Sequence, residues 1–503
     1  MLCVTVARSR HTQTIAEFEA VGQQGADLTE LRLDYIGRSI DLPKLLKKRH
    51  TPVVITCRRH DDGGRWSRSE SERQMILRSA IASGVDYVDL EGDIATAIPR
   101  YGSTKRIVSM HDFDSTPEDL EEIHNDLASK DADIVKLATL ANSFDDCLRM
   151  MKLVKSAKVP TIGICMGDIG SVTRILGLQL GSPFTYCSSN SERKVAPGII
   201  SFKQMQSLYR PKEINAETQL FGVVADPVAH SLSPLIHNTA FASQGLNCRY
   251  LPFRIPEEDL RSFVDWCIDR EVGGLSVTIP HKERMMNYIQ EVESAARGIG
   301  AINTVVFRNV RGIGYNTDYR AAMDCLQEAL RTQKTLDNIE GRDDDLFRGR
   351  SVLILGAGGV ARAIAYGLKQ RGALVTITSR TQERSEALAR ELKTEFTPWS
   401  DRYAIVPGII VNCSPVGMHP DVDSTPYEIK EQLSAETIVF DTVYNPENTV
   451  LIKQARAAGC LTINGLDMFV RQAAYQYKLF TGQEPPVPLM RETVKRATSP
   501  VNF

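Results

Sequence analysis

SVLILGAGGVARAIAYGLKQRGALVTITSRT, from Ser351 to Thr381, decides the fold of the C-terminal half. An apolar run leads into glycines, a stretch of helix length follows, and LVTIT returns to strand character. Gly356, Ala357, Gly358, Gly359, Val360 and Ala361 fit G-x-G-x-x-A between a strand and a helix. That is the opening of a dinucleotide-binding α/β fold. An NAD site carries Asp or Glu at the end of the second strand; here Ser379, Arg380 and Thr381 stand there, with Arg380 24 residues after Gly356. An arginine at that place suits a 2′-phosphate, which predicts NADP(H).

Downstream, IVPGIIVNCS and TIVFDTVY extend the sheet, and LDMFVRQAAYQYKLFTG after Gly465 reads as a long helix ended by Gly482. Upstream, RTQKTLDNIEGRDDDLFRG is charged and poor in apolar residues, a solvated connection. A βαβ-like region runs from LFGVVADP to about Leu330, and the polar RPKEINAETQ before it is a linker. From residue 1 to about 205, eight strand-like runs alternate with helix-length segments, beginning at Leu2, Leu28, Pro52, Tyr87, Arg106, Asp133, Pro160 and Phe184. Eight such units predict a (β/α)8 barrel with short loops.

At 503 residues and roughly 150 per domain, about three domains are expected. Hydrophobic residues make up 42% and charged residues 24%, so each domain can bury a core. Lys plus Arg number 60 against 62 Asp plus Glu, a balance that gives no support for a nucleic-acid or acidic-membrane partner. The ten cysteines form no C-x-x-C pair and no zinc-type cluster, so reduced thiols and no metal are expected. MLCVTVARSR lacks the order of a signal peptide, and no apolar run is of membrane-spanning length, so the expectation is a soluble cytosolic protein.

Strands of a parallel barrel are buried on both faces and should be apolar. Three runs depart from that. LTELRLDY puts Glu30, Arg32 and Asp34 on one face, YVDLEG does so with Asp89 and Glu91, and DIVKLAT sets Lys136 between Val135 and Leu137. Burial costs an ammonium its hydration, and a neutral amine can attack a carbonyl to form a Schiff base. The protonated imine is an electron sink, and the reaction needs a base; His111 in SMHDF is the natural candidate.

These residues resemble the type I 3-dehydroquinate dehydratases over positions 1 to 207. The resemblance rests on T-E-L-R at Thr29–Arg32, D-L-E at Asp89–Glu91, M-H-D-F at Met110–Phe113, V-K at Val135–Lys136, M-G-x-x-G with Arg174 beyond it, and A-P-G at Ala196–Gly198. It implies an imine at Lys136, proton transfer by His111, orientation of His111 by Glu91, and substrate contacts from Glu30, Arg32, Arg58 and Arg174. One departure is that the last loop has Val195 and Ile199 where the family has Ser and Gln, replacing two polar contacts with apolar side chains.

In the second half, Ser231 and Ser233 precede Pro234, a helix start that also offers hydroxyls to a carboxylate. Lys282 follows Pro280 in what reads as the first turn of a helix, where a cation opposes the dipole. GAINTV supplies Asn303, and GYNTD supplies Asn316 and Asp318. An Asp–Lys pair can pass a proton while a hydride moves. This half resembles shikimate dehydrogenase through S-L-S at Ser231–Ser233, S-V-T-x-P-x-K at Ser276–Lys282, N-T-D at Asn316–Asp318, G-A-G-G at Gly356–Gly359, N-C-S-P-V-G-M at Asn412–Met418, D-T-V-Y-N-P at Asp441–Pro446, and G-x-x-M near Gln472. The resemblance implies a catalytic pair Lys282 and Asp318, substrate contacts from Ser231, Ser233, Thr278, Asn303, Tyr444 and Gln472, and cofactor contacts at Met418 and Gly465. Ser276 stands where the family usually has Asn.

The expectation is an α/β chain, with a barrel over 1–207, a substrate lobe over 217–330 and 464–503, and an NADP-binding Rossmann lobe over 348–463. The function implied is dehydration of 3-dehydroquinate followed by NADPH-dependent reduction of 3-dehydroshikimate to shikimate, with small molecules as the only partners. Two alternatives stand beside it: the same dehydratase joined to an NAD-dependent quinate dehydrogenase, and a non-catalytic metabolite sensor on these folds.

Overall fold

All eight N-terminal runs are strands in the computed structural model, which describes residues 1–190, 196–229, 231–336, 346–429, 433 and 436–499. They are β1 (Leu2–Val6), β2 (Leu28–Arg32), β3 (Val53–Thr56), β4 (Tyr87–Glu91), β5 (Lys105–Asp112), β6 (Ile134–Leu140), β7 (Thr161–Met166) and β8 (Thr185–Ser188). β1 to β7 pair in chain order, and β1 also pairs with β8 in parallel. Among the described residues no ladder joins β7 to β8, so the barrel is nearly closed.

One of the expected helices is not formed. Between β4 and β5 stands only a 3₁₀ turn, Ala95–Ala97. Residues 92–104 leave little room for a helix with two loops, and this shortens the barrel.

The strand period of two sorts the interior into layers. Cys3, Leu28, Val54, Ile107, Ile134, Ile162 and Phe184 form an apolar floor. Two residues further along the strands come Thr5, Glu30, Thr56, Ser109 and Lys136, all buried. Arg32, Arg58, Glu91 and His111 follow at the C-terminal ends, the end that carries function in such barrels. Removing a floor residue, as in Ile134→Ala, is expected to cost about 2–5 kcal/mol.

The chain divides into two compact units, the first centred on Met1–Thr218 and the second holding Gln219–Ala225, Ser231–Tyr250 and Trp266–Phe503. The second unit is built on two six-stranded sheets. One has the order β10-β9-β11-β13-β14-β12, with β9 (Gln219–Ala225), β10 (Cys248–Arg254), β11 (Gly274–Val277), β12 (Glu291–Val292), β13 (Thr304–Arg308) and β14 (Arg311–Tyr315). It is mixed: β11 runs parallel to β9 but antiparallel to β13, because β13 and β14 form a hairpin. Asn309 and Val310 make its turn, both at positive φ.

The other sheet has the order β17-β16-β15-β18-β19-β20. Its strands are β15 (Ser351–Leu355), β16 (Leu374–Thr378), β17 (Glu395–Phe396), β18 (Ile409–Asn412), β19 (Ile438–Asp441) and β20 (Leu461–Ile463), and their ladders are all parallel. The strand order reverses between β15 and β18, the switch point where such sheets take nucleotides. The helix Gly465–Thr481 ends, as expected, at Gly482 in the left-handed region. The charged connection lies largely in 337–345, outside the described residues, and the helix before it, Thr317–Leu336, is longer than expected.

Candidate active sites

The barrel interior opens into a cavity whose lining includes Glu30, Arg32, Arg58, His111, Lys136 and Arg174. Lys136 on β6 is 6% exposed; its Nζ donates to Asp89 Oδ2 at 2.9 Å and lies 4.3 Å from the centre of the Tyr186 ring. Arg58 Nη2 reaches the same carboxylate oxygen at 2.7 Å. Burial works against a charge on Asp89, but Arg58 and then Lys136 outweigh it and hold the carboxyl well below its usual range. Burial, then Arg58 and Lys136, pull His111 well below the ordinary histidine value, so it is a neutral imidazole at pH 7.

Arg58 Nη1 lies 3.2 Å from His111 Nδ1 and 3.1 Å from Glu91 Oε1. Guanidinium can only donate, so Nδ1 is the acceptor. Glu91 was expected to orient His111 itself; instead Arg58 stands between them, because the longer arginine reaches across from β3. Glu91 is buried, and burial outweighs its arginine partners to raise its carboxyl.

Glu30 accepts from Thr5 Oγ1 and Thr56 Oγ1, each at 2.8 Å. Arg32 is tied to both oxygens of Asp34 at 2.9 Å, which neutralises part of its charge. Arg174 is different. It is 3% exposed, burial lowers its pKa to about 10, its Nη2 donates to Pro197 O at 3.5 Å, and its Nε has no partner among the described residues. A buried cation facing a cavity, with no carboxylate beside it among the described residues, is an anion receptor by default. Ile199 lines the same cavity, while Val195 lies outside the described residues.

In the second unit, Lys282 Nζ donates to Asp318 Oδ2 at 2.6 Å, and both side chains are about nine-tenths covered. The expected helix at Pro280 is absent. Lys282 sits in a turn before a 3₁₀ segment, Arg284–Asn287. Its carbonyl accepts from Ile302 N rather than from a following helical turn, so the dipole conflict does not arise. Asp318 lies in the first turn of the helix Thr317–Leu336, where a carboxylate is favourable, and Asn316 caps that helix by accepting from Tyr319 N at 2.9 Å.

Asn303 is held by Thr317 and Thr304: Nδ2 donates to Thr317 Oγ1, and Oδ1 accepts from Thr317 N and Thr304 Oγ1. Ser233 is not a capping residue. The helix Ser233–Ser243 starts on it, Leu232 takes the cap position, and Ser231 Oγ accepts Ser233 N at 3.3 Å. Thr278 is half-buried, Tyr444 stacks on Phe469 with centroids 4.3 Å apart, and Gln472 is buried one turn further along the same helix.

Sequence reasoning did not find the polar network beneath this site. Tyr250 Oη donates to Ser276 Oγ at 2.5 Å, Ser276 donates to Gln476 Oε1 at 2.7 Å, and Gln476 Nε2 donates to Asn303 O and Thr304 Oγ1. It joins residues up to 226 positions apart, which no local pattern signals.

At the glycine turn, Gly356 has φ +128°, and a Cβ there would lie 2.9 Å from the Cys413 backbone. A Cβ on Gly359 would lie 3.0 Å from Lys282 Cδ, so this turn and the lysine need each other close. Gly358 precedes the helix Gly359–Gln370, and space above it is open. Such a cradle fits a pyrophosphate. Ala357, Val360 and Ala361 pack with the hydrophobic core below. Arg380 is exposed and has no ion pair among the described residues; Ser379 beside it donates to Thr381 O at 2.7 Å. Met418 is 43% exposed, and Gly465 opens its helix against the Val443 carbonyl, which a Cβ would meet at 2.3 Å. Among the described residues no three His, Cys, Asp or Glu side chains gather as metal ligands, and no helix is long and apolar enough to cross a membrane.

Comparison with known proteins finds relatives of both units. Residues 2–216 match the family described as type I 3-dehydroquinase, and 223–305 and 465–495 match the substrate-binding and C-terminal domains of shikimate dehydrogenase. Over 502 residues the chain is 35% identical to the chloroplastic bifunctional 3-dehydroquinate dehydratase/shikimate dehydrogenase of Arabidopsis thaliana, covering 97% of this chain and 83% of that protein. The chain belongs to this bifunctional family. The shikimate dehydrogenase (NADP(+)) of Methanocaldococcus jannaschii is 37% identical over 290 residues, 56% of this chain and 98% of its own. A crystal structure of a shikimate dehydrogenase in complex with NADP+ superposes with TM-score 0.50 at 35% identity, covering 57% of this chain and 98% of that one. Residues 351–445 of this bifunctional-family chain also match a model described as coenzyme F420-dependent NADP oxidoreductase.

Proposed function

We propose that this chain dehydrates 3-dehydroquinate to 3-dehydroshikimate in its barrel and reduces 3-dehydroshikimate to shikimate with NADPH in its second unit. The observation that carries the reading is the presence of two separate, internally complete lysine–carboxylate sites on one chain of the bifunctional family.

In the barrel, Lys136 Nζ adds to the substrate ketone, and water leaves to form a protonated imine. The imine draws electrons from the adjacent carbon, and His111 takes the C2 proton. Nδ1 is the unprotonated nitrogen; substrate that engages Arg58 frees its lone pair. The electrons then expel the C1 hydroxyl, which leaves as water with the proton from His111, and hydrolysis of the imine restores Lys136. Asp89 balances the positive nitrogen throughout. Arg174 binds the substrate carboxylate, with Glu30, Arg32 and Arg58 around the ring.

In the second unit, bound NADPH supplies a hydride. Gly356–Ala361 cradle its pyrophosphate, Ser379, Arg380 and Thr381 face the 2′-phosphate, and Met418 and Gly465 border the site. Lys282 gives a proton to the ketone oxygen as it becomes a hydroxyl, and Asp318 accepts from that lysine and aims it. Ser231, Ser233, Thr278, Asn303, Tyr444 and Gln472 orient the ring. The lobes are assigned as 217–330 with 464–503 for substrate and 348–463 for NADP.

Borohydride added with 3-dehydroquinate tests the barrel half. A substrate-sized adduct on Lys136 is expected. Absence of an adduct together with absence of dehydration would support a non-catalytic sensor instead.

A further inference from the structure

We infer that Arg73 is a positioning residue for the dehydratase reaction, acting on His111 through Glu91 and Arg58; this rests on the barrel function proposed above. Arg73 lies on the helix Glu70–Ala82 and has no exposed surface. Nε and Nη2 grip both oxygens of Glu70 at 2.8 Å, one turn back on the same helix. That pair would suffice to neutralise the guanidinium. Yet Nη1 turns inward, donating to Glu91 Oε2 at 2.7 Å and to the Cys57 carbonyl at 2.8 Å.

Both inward bonds converge on Arg58. Cys57 precedes it in the chain, so one bond fixes the backbone that carries Arg58. Glu91 Oε1 holds Arg58 Nη1 at 3.1 Å, so the other fixes its head group. That Nη1 is the atom facing His111 Nδ1 at 3.2 Å. Arg73 does not line the cavity and touches none of the reacting atoms. Its planar fork spans three partners at once, which an ammonium cannot do. A buried charge pair costs desolvation, and an apolar residue of similar volume would serve packing equally well. The positioning of Arg58 is what the fork adds.

The test uses the full chain, whose shikimate oxidation with NADP+ is an internal control for folding. Arg73→Met is expected to lower the dehydratase kcat by about tenfold or more, with the KM for 3-dehydroquinate within about threefold. Borohydride should still trap the adduct on Lys136. Arg73→Met with Glu91→Gln should be no slower than the slower single variant, because both act along one line of contacts. An unchanged kcat, losses that multiply in the double variant, or a parallel fall of both activities would overturn the inference. If Arg73→Met does not accumulate as folded protein, Arg73→Lys, which keeps the charge and loses the fork, carries the same expectations. An unsubstituted chain that neither traps an adduct nor dehydrates overturns the barrel function as well, a result separable from any of these.

Discussion

The two proposed active sites hold the same pair of groups in different surroundings. In the barrel, Lys136 lies 2.9 Å from Asp89, and that carboxylate is shared with Arg58. In the second unit, Lys282 lies 2.6 Å from Asp318, with a glycine turn rather than another cation beside it. Lys136 sits against an aromatic ring and lines the cavity, where its Nζ can reach a bound carbonyl. Those conditions suit a nucleophile. An unshared pair at the mouth of a nucleotide site suits proton transfer. The surroundings of the pair, rather than the pair, decide which chemistry follows.

The largest effect separates the two lysines. Lys136→Ala is expected to abolish dehydration, a loss of at least about 10³-fold, since among the described residues no other lysine lines the cavity. Lys282→Ala should cost the reduction about 10²–10⁴-fold, the range of an acid–base residue. Steady-state assays of both activities on each variant check this. If Lys136→Ala kept a tenth of its dehydration rate, the two lysines would be doing the same job.

Arg174→Met comes next. The KM for 3-dehydroquinate should rise about 10- to 100-fold, as an arginine–carboxylate contact is lost. Thermal unfolding should not move downward, because the substitution removes a buried charge that has no ion pair among the described residues. A drop in stability would mean that Arg174 is paired in a way the cavity geometry does not reveal. On the other site, Arg380→Ser should raise the KM for NADPH about tenfold and leave that for NADH unchanged. Equal shifts with both would remove Arg380 from the 2′-phosphate.

Two histidines extend the comparison, and here the effect is smallest. His111 faces a cavity. His237 is sealed, stacked on Tyr250 with centroids 4.5 Å apart, and burial lowers its pKa to about 3. A base depressed in the folded state is neutral there, while the unfolded chain takes up a proton near pH 6.5. The stability it contributes is therefore present above pH 6.5 and lost as pH falls toward 3, by at most about 1.4 kcal/mol per pH unit. His237→Phe should flatten the acid side of urea-midpoint plots followed by shikimate oxidation. A slope identical to the parent would assign the acid sensitivity elsewhere.

Much of this was legible from local pattern. Alternation along β2, β4 and β6 exposed Glu30, Asp89 and Lys136 as polar intruders in buried strands, and the turn at Gly356 announced its own sheet. What stayed hidden depends on register between distant strands. Arg58, just past the end of β3, meets His111 on β5 across β4, so the reach of each side chain across the barrel, not its spacing, places Arg58 rather than Glu91 on the imidazole. The helix expected after Pro280 failed for a similar reason, since the Lys282 carbonyl is claimed by Ile302, twenty residues away. Tyr250, Ser276 and Gln476 each look like ordinary core or helix residues until the sheet brings them together.

The most direct measurement supplies 3-dehydroquinate and NADPH together to the intact chain and to two variants, and follows shikimate, 3-dehydroshikimate and NADPH. The intact chain should form shikimate and consume one NADPH per shikimate. Asp318→Ala should accumulate 3-dehydroshikimate, and Lys136→Ala should form neither product from 3-dehydroquinate yet still reduce added 3-dehydroshikimate. Shikimate formed at the parent rate by either variant would contradict the assignment of one reaction to each site.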